Sequence, residues 1–102
     1  MSVLKISSDN IDEILSGEKT VLIDFYADWC GPCRTMSKIV EEIAEENPDI
    51  IVGKINVEDE PELTKEFRVG SIPNFVVLKD RVLVNRLVGA KPKAQILEML
   101  KD

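Results

Sequence analysis

The chain has 102 residues, enough for one domain with its own hydrophobic core and too few for two. Nineteen acidic residues outnumber thirteen basic ones, and the formal charge of -6 argues against nucleic acid and anionic membrane surfaces as partners. A content of 44% hydrophobic and 31% charged residues excludes disordered and fibrous classes. We therefore expect a single domain over residues 1–102, with no nucleic acid and no membrane among its partners.

The first ten residues give no indication of export. They lack the basic segment followed by a long apolar segment that marks a secretory signal. We therefore expect a cytoplasmic protein. In a reducing compartment, two cysteines indicate redox or metal chemistry rather than a structural disulfide.

The first part of the chain predicts two strands with a helix between them. Residues 3–6 are short and mostly apolar, which is typical of a strand. The side-chain oxygens of residues 7–9 are expected to cap a helix that ends at Gly17. Residues 20–27 are β-branched or aromatic with almost no alternation, as in a central strand buried on both faces, and Asp24 is the exception within it. The apolar face of the helix carries Ile11, Ile14 and Leu15.

A longer helix follows the cysteines. Its apolar residues recur at i, i+3, i+4, i+7 and i+8, which predicts a helix from residue 30 or 32 to residue 46. The Asn-Pro-Asp sequence at residues 47–49 stops it. Residues 50–57 predict a second buried strand, and Pro61 the first turn of a short helix. The apolar residues of these two helices are Met36, Ile39, Val40, Ile43, Ala44, Leu63 and Phe67.

The last third of the chain predicts a hairpin and a final helix. Residues 75–78 and 82–88 are strands joined near Asp80 and Arg81, by a connection too short for a crossover helix, so the pair is antiparallel. Pro92 lies near the first turn of an amphipathic helix with Ile96, Leu97 and Leu100 on one face. The resulting order, β-α-β-α-β-α-β-β-α, predicts a mixed α/β sheet with helices on both faces.

The sequence Cys30-Gly31-Pro32-Cys33 has the spacing of a dithiol pair that opens and closes in use. Cys30 lies at the predicted N-terminus of the long helix, where unpaired N–H groups and the helix dipole favour a thiolate. Cys33 lies one turn further and can reach the Cys30 sulfur. We therefore predict that Cys30 is the nucleophile in disulfide exchange and Cys33 the resolving group.

Two other uses of a cysteine pair are weaker. As a structural disulfide, the pair closes a loop too small to restrain much unfolded-chain entropy. As half of a four-ligand zinc site, it lacks partners, because the chain has no further cysteine and no histidine.

Three other residues near the cysteines each have a functional and a structural interpretation. Asp24 is costly to bury without a role, so we predict a raised pKa and proton exchange with Cys33; the alternative is an aspartate that faces water. Lys54 in the neighbouring strand is either its charge partner or a solvated strand residue. Trp29 is either a core aromatic or, beside an exposed sulfur, a surface for substrates.

With the Trp-Cys-Gly-Pro-Cys motif at residues 29–33, the chain resembles the thioredoxin family over essentially its whole length. The further matching segments, in order, are Asp24-Phe25, Lys54 with Asn56, Ile72-Pro73 and Val88-Gly89-Ala90. The resemblance implies the thioredoxin fold, a central mixed five-stranded sheet flanked by four helices. It also implies a protein-disulfide reductase that serves cell redox homeostasis and carries no bound cofactor other than the redox-active disulfide Cys30-Cys33.

The resemblance further implies roles for individual residues. Pro73 should be cis and lie against the cysteines, and Asp24 and Lys54 should tune proton transfer. The expected partners are a thioredoxin reductase as electron donor and disulfide-containing target proteins, and the chain is expected to be monomeric. The residues expected to border the groove for an extended target segment are Trp29, Gly31, Pro32, Ile72, Pro73, Gly89 and Ala90.

Some positions depart from the family pattern. The departures are Asn74 where Thr is usual, Tyr26 where Trp is frequent, and Lys38 where a kinking Pro is common. Arg68 and Gly70 also look exchanged, because the family usually has Gly at the first of these positions and Arg or Met at the second. They concern target preference, reductase recognition and helix shape rather than the dithiol chemistry. Two rival functions stay open from sequence: an oxidant or isomerase on the same fold, and a binding module in which the cysteines are incidental.

Overall fold

The computed structural model describes residues 3–101, and over this range it confirms the predicted order of elements. Its strands and helices are β1 (Val3–Lys5), α1 (Ile11–Leu15), β2 (Val21–Tyr26), α2 (Gly31–Glu46), β3 (Ile51–Asn56), α3 (Pro61–Glu66), β4 (Asn74–Lys79), β5 (Val82–Val88) and α4 (Lys93–Met99). Within the described range, no helix is long and apolar enough to cross a membrane.

The strands form one mixed sheet in the order β1-β3-β2-β4-β5. β3 pairs in parallel with both β1 and β2, whereas β4 pairs antiparallel with β2 and with β5. The predicted β4–β5 hairpin is therefore confirmed. Central strand β2 has two hydrogen-bonded neighbours, and its first five residues are buried, as its continuous apolar run predicts.

Helices cover both faces of the sheet. On one face, α2 and α4 pack Met36, Val40, Ile43 and Ile96 against alternate residues of β2 and β4, including Leu22 and Phe75. On the other face, α1 and α3 pack Ile11 and Leu63 against the intervening residues, including Ile23, Phe25 and Val76. The alternation along β2 places Asp24 on the same face as Leu22, the face covered by α2.

The predicted start of α1 is wrong in detail. The side chains of residues 7–9 do not cap the helix; Asn10 occupies the N-cap position and also makes no side-chain cap. The Asn10 side chain instead donates to the Lys5 carbonyl at 2.9 Å and accepts from the Ser7 N–H at 2.8 Å. These bonds fix the turn between β1 and α1, and the helix ends at Leu15, before Gly17.

Candidate active site

The two cysteines lie where β2 is followed by α2. Cys30 is the N-cap of α2, and its sulfur accepts a hydrogen bond from the backbone N–H of Cys33 at 3.2 Å. An acceptor at this position satisfies one of the free N–H groups of the first turn, and a negatively charged sulfur does so best. The cysteines are joined by a disulfide, with their Cα atoms 5.2 Å apart.

The Cys30 side of the disulfide faces a groove of about 610 Å³. Residues 29–32 form one part of the wall of this groove and residues 69–72 another part, and Val57 and Thr64 also line it. The groove therefore brings together four residues predicted to border it, which are Trp29, Gly31, Pro32 and Ile72.

The other three predicted groove residues do not line this cavity. The Ile72-Pro73 peptide bond is cis, as the family resemblance implies, and Pro73 is buried. Gly89 donates its N–H to the Pro73 carbonyl at 2.8 Å, with φ at 95°, a value that favours glycine. Ala90 is exposed next to it.

Trp29 extends over the groove and is 66% exposed, so it is not a core aromatic. Its indole Nε1 donates to the Oε2 atom of Glu58 at 2.8 Å. Glu58 was not anticipated from sequence. The parallel pairing of β2 and β3 offered a signal, because residues that follow two parallel strands lie at the same edge of the sheet.

Asp24 is buried, as predicted, with 4% of its surface exposed. Its Oδ1 atom has no hydrogen-bond partner among the described residues. Burial raises the pKa of Asp24 from 3.8 to about 7, and the positive charge of Lys54 opposes part of this rise. The carboxyl group can therefore both hold and release a proton near neutral pH.

A second cavity, of about 310 Å³, connects Asp24 to Cys33. Lys54, Tyr26, Arg34 and Ser37 also line it. Cys30 and Cys33 thus face different spaces, the first the groove and the second the cavity that contains the buried carboxyl group.

Lys54 lies opposite Asp24 in the β2–β3 register and is half-buried. Its Nζ atom lies 5.6 Å from the centroid of the Tyr26 ring, the position at which Trp is frequent in the family. Cations are attracted to aromatic faces at this separation. The contact places the ammonium group at the wall of the second cavity.

The remaining departures from the family pattern have visible consequences. α2 runs without interruption over 16 residues, with Lys38 exposed where a kinking proline is common. Arg68, rather than Gly70, has a positive φ, 56°, so the exchange leaves arginine in a conformation that favours glycine. Asn74 is buried, and its side chain accepts a hydrogen bond from Arg86.

Residues 3–101 contain no cluster of three or more His, Cys, Asp or Glu side chains that could hold a metal ion.

Comparison with known proteins places this site in one family. The thioredoxin family model matches residues 2–102. The thioredoxin of Alicyclobacillus acidocaldarius subsp. acidocaldarius is 39% identical over 102 residues, which are 99% of this chain and 97% of that protein. A bifunctional thioredoxin reductase/thioredoxin of Mycobacterium leprae is 44% identical over 91 residues, which are 88% of this chain and 20% of that protein.

Comparison with solved structures leads to the same family. The crystal structure of the short form of thioredoxin f from spinach chloroplast has a TM-score of 0.92 at 32% identity, over 98% of this chain and 91% of that one. The five-stranded sheet and its four helices, within the described range, form the thioredoxin fold. On the match over residues 2–102, the chain belongs to the thioredoxin family.

Proposed function

We propose that this protein is a thiol-disulfide oxidoreductase that reduces disulfides in target proteins. The observation that carries the proposal is the Cys30-Cys33 disulfide at the N-terminus of α2, with the Cys30 sulfur at a groove and in contact with a backbone N–H. A thiolate at Cys30 is stabilised by that N–H and by the helix dipole. No further group is needed for exchange, so we propose no bound cofactor.

The reaction moves two electrons from the cysteine pair to the target. In the reduced protein, the Cys30 thiolate attacks one sulfur of the target disulfide, forms a mixed disulfide and releases the other target sulfur as a thiolate. Cys33 then loses its proton and attacks the Cys30 sulfur. The bond between Cys30 and the target breaks, the target leaves with two thiols, and the Cys30-Cys33 disulfide remains.

Asp24 is the proposed acceptor of the Cys33 proton. The two residues line the same cavity, and a carboxyl pKa of about 7 suits a group that must accept a proton and release it at neutral pH. Lys54 is proposed to support the ionised carboxylate through its charge, which lowers the cost of a buried anion. A water molecule in the second cavity is the expected link between sulfur and carboxyl.

The groove is the proposed site for an extended segment of the target. Trp29, Gly31, Pro32 and Ile72 line it and are proposed to contact that segment. Pro73, Gly89 and Ala90 do not line this cavity and are proposed to border the path of the target segment outside it. The Gly89 N–H donates to the Pro73 carbonyl.

The proposed electron donor is a thioredoxin reductase, and the proposed targets are disulfide-containing proteins. The name of the Mycobacterium leprae relative, which joins the words thioredoxin reductase and thioredoxin, supports this partnership. We further propose that residues 1–102 form one thioredoxin domain that acts as a monomer in the cytoplasm, where two cysteines with this spacing are typical of redox chemistry.

Trapping of the mixed disulfide tests the mechanism. The reduced protein should reduce insulin disulfides catalytically in the presence of dithiothreitol, and Cys30→Ser should abolish this activity. Cys33→Ser should also lose turnover but should accumulate a covalent adduct with insulin, which dithiothreitol releases. Unchanged turnover in the Cys30→Ser, Cys33→Ser double variant would contradict the proposal and favour a binding module.

A further inference from the structure

The side chain of Arg86, in β5, makes two hydrogen bonds that join separate parts of the chain. Its Nη1 atom donates to the Asn74 side-chain oxygen at 2.8 Å, and its Nη2 atom donates to the Phe67 carbonyl. No carboxylate of the described residues lies within 4.0 Å of the Arg86 guanidinium. The half-buried charge therefore acts on two neutral oxygens, and the guanidinium fork bridges them.

These two oxygens stand at the ends of one short segment. Phe67 is the C-cap of α3, and Asn74 is the first residue of β4. Between them lie residues 68–73, which we call the wall segment because its residues 69–72 form part of the wall of the groove. Arg86 therefore fixes the distance between the two points at which this wall joins the rest of the fold.

The middle of the wall segment is held through Asn74. The Asn74 Nδ2 atom donates to the Ser71 carbonyl at 3.2 Å, while the Asn74 oxygen accepts from Arg86. Within the described chain, no other hydrogen bond between protein groups involves Gly70, Ser71 or Ile72. The middle of the wall is thus held by a relay from Arg86 through the buried Asn74 to Ser71, whereas backbone hydrogen bonds from Val69 to Thr64 and from Gly89 to Pro73 hold its two ends.

We propose that Arg86 is a positioning residue for target binding, which acts by holding the wall segment in the conformation that receives a protein disulfide. The inference rests on the proposed function and deepens it, because it assigns a determinant of target affinity that does not touch the target. A binding wall that is ordered before the target arrives lowers the entropy lost on binding. Ile72 of the wall segment packs against the cluster of Ala27, Cys30 and Cys33, but the hydrogen bonds of Arg86 reach neither cysteine. We therefore expect the effect on the binding of large targets rather than on the reactivity of the cysteines.

The two hydrogen bonds of Arg86 together require the geometry of an arginine side chain. Its planar fork presents two parallel donors to two acceptors, whereas the ammonium group of lysine is a single point charge. Lysine should therefore hold one of the two oxygens, and methionine neither.

The test compares Arg86→Met and Arg86→Lys with wild type, with insulin as the protein disulfide. Arg86→Met should raise KM for insulin by roughly tenfold and leave kcat within about twofold, since misplacement of a binding wall acts on target binding. Arg86→Lys should give an intermediate KM. The rate at which iodoacetamide alkylates Cys30 in the reduced protein should stay within about twofold in both variants, because the Cys30 sulfur is supported by the Cys33 N–H and the N-terminus of α2, which Arg86 does not contact.

Arg81→Met is the matched control. Arg81 lies in the same hairpin and contacts only the exposed Asp12, at 3.8 Å, among the ion pairs of the described residues. The KM of Arg81→Met for insulin should equal that of wild type.

Asn74→Ala provides a second variant if Arg86→Met does not fold. It should raise KM for insulin by roughly tenfold, the factor expected for Arg86→Met. Where Arg86→Met folds, the double variant should be no worse than either single variant, because the two residues act as one unit. A wild-type protein that fails to reduce insulin would overturn the proposed function and this inference with it. Normal wild-type activity with an unchanged KM in Arg86→Met, or with kcat and alkylation falling in parallel, would overturn this inference alone.

Discussion

Asp24 and Lys54 lie directly opposite each other in the paired strands β2 and β3, yet they form no ion pair within 4.0 Å in the described part of the chain. The Lys54 ammonium lies instead near the ring of Tyr26, and one Asp24 oxygen has no hydrogen-bond partner among these residues. A closed ion pair would hold the carboxyl group ionised. The open arrangement leaves burial dominant and the pKa of Asp24 at about 7.

This arrangement predicts that Asp24 destabilises the folded protein when it is ionised. The pKa of Asp24 is higher in the folded chain, at about 7, than the ordinary value of 3.8. The penalty is therefore absent below about pH 4, grows between about pH 4 and pH 7, and is complete above that range. A rise from 3.8 to about 7 corresponds to roughly 4 kcal/mol at about 1.36 kcal/mol per pH unit.

Asp24→Ala should thus raise the free energy of unfolding of the oxidised protein by about 2–4 kcal/mol at about pH 8, and by much less at about pH 4. Guanidinium chloride titrations at the two pH values measure the difference. The exposed Asp28, four residues along, is the matched control, and Asp28→Ala should change stability by less than about 0.5 kcal/mol. Equal or lower stability of Asp24→Ala at the higher pH would show that the carboxylate is not a buried, uncompensated charge.

The same substitution should slow resolution of the mixed disulfide. Loss of a positioned proton acceptor typically costs a factor of about a hundred or more, so Asp24→Ala should reduce the rate of the Cys33 attack by about a hundredfold near pH 7. In wild type this rate should rise as Asp24 ionises near its pKa of about 7, and in the variant that inflection should be lost. Rapid-quench trapping of the mixed disulfide over a pH series measures the step. An unchanged rate and pH profile would remove Asp24 from the mechanism.

The hydrogen bond between Trp29 and Glu58 predicts an effect on target binding without an effect on stability. Glu58→Ala should free the indole and raise KM for insulin by about threefold, as expected for an exposed hydrogen bond worth roughly 0.5–1 kcal/mol. Trp29 is the only tryptophan, so its fluorescence in the reduced protein reports the change directly. Glu62→Ala, at another exposed glutamate, is the control. The prediction would be contradicted if Glu58→Ala had the same Trp29 emission and the same KM for insulin as wild type.

The β4–β5 turn predicts a stabilising substitution away from the site. Asp80 and Arg81 have φ of 52° and 66°, so both central residues of the turn are left-handed. Such two-residue turns favour Asp-Gly, and a non-glycine residue in this region costs about 1–2 kcal/mol. Because glycine also loses more chain entropy on folding, Arg81→Gly should stabilise by a net ~0.5–1 kcal/mol.

Chemical denaturation measures the free energy of unfolding of Arg81→Gly, and insulin reduction by this variant should be unchanged. Arg81→Ala is the control, since alanine keeps the unfavourable conformation and should not stabilise. A less stable Arg81→Gly protein would mean that the contact of Arg81 with Asp12 outweighs the turn.

Local patterns explain which parts of the fold could be predicted. The run of residues 20–27 identifies a buried strand, and the spacing from Met36 to Ala44 identifies a helix, because each signal is contained in a few turns of chain. Asp24 stood out for the same reason, as one carboxyl group in an apolar run. The start of α1 could not be predicted, since four consecutive residues, Ser7 to Asn10, all have side chains suited to a cap.

The supporting contacts of the site could not be read from sequence because they join distant residues. Glu58 lies 29 residues from Trp29, and Arg86 lies 19 residues from Phe67. An arginine in the mostly apolar strand of residues 82–88 was a signal, as Asp24 was in β2. Arg86 has no partner nearby in sequence, because its two acceptors, Asn74 and the Phe67 carbonyl, reach it only when the chain is folded.

The redox potential of the Cys30-Cys33 pair tests the proposed direction of electron flow most directly. Equilibration of the purified protein against dithiol/disulfide buffers, followed by Trp29 fluorescence and thiol trapping, measures it. A reductase requires a potential more negative than the cytosolic glutathione poise of about −220 to −260 mV, and we expect a value below that range. A value at or above it would contradict the account and would make the protein an oxidant or isomerase on the thioredoxin fold.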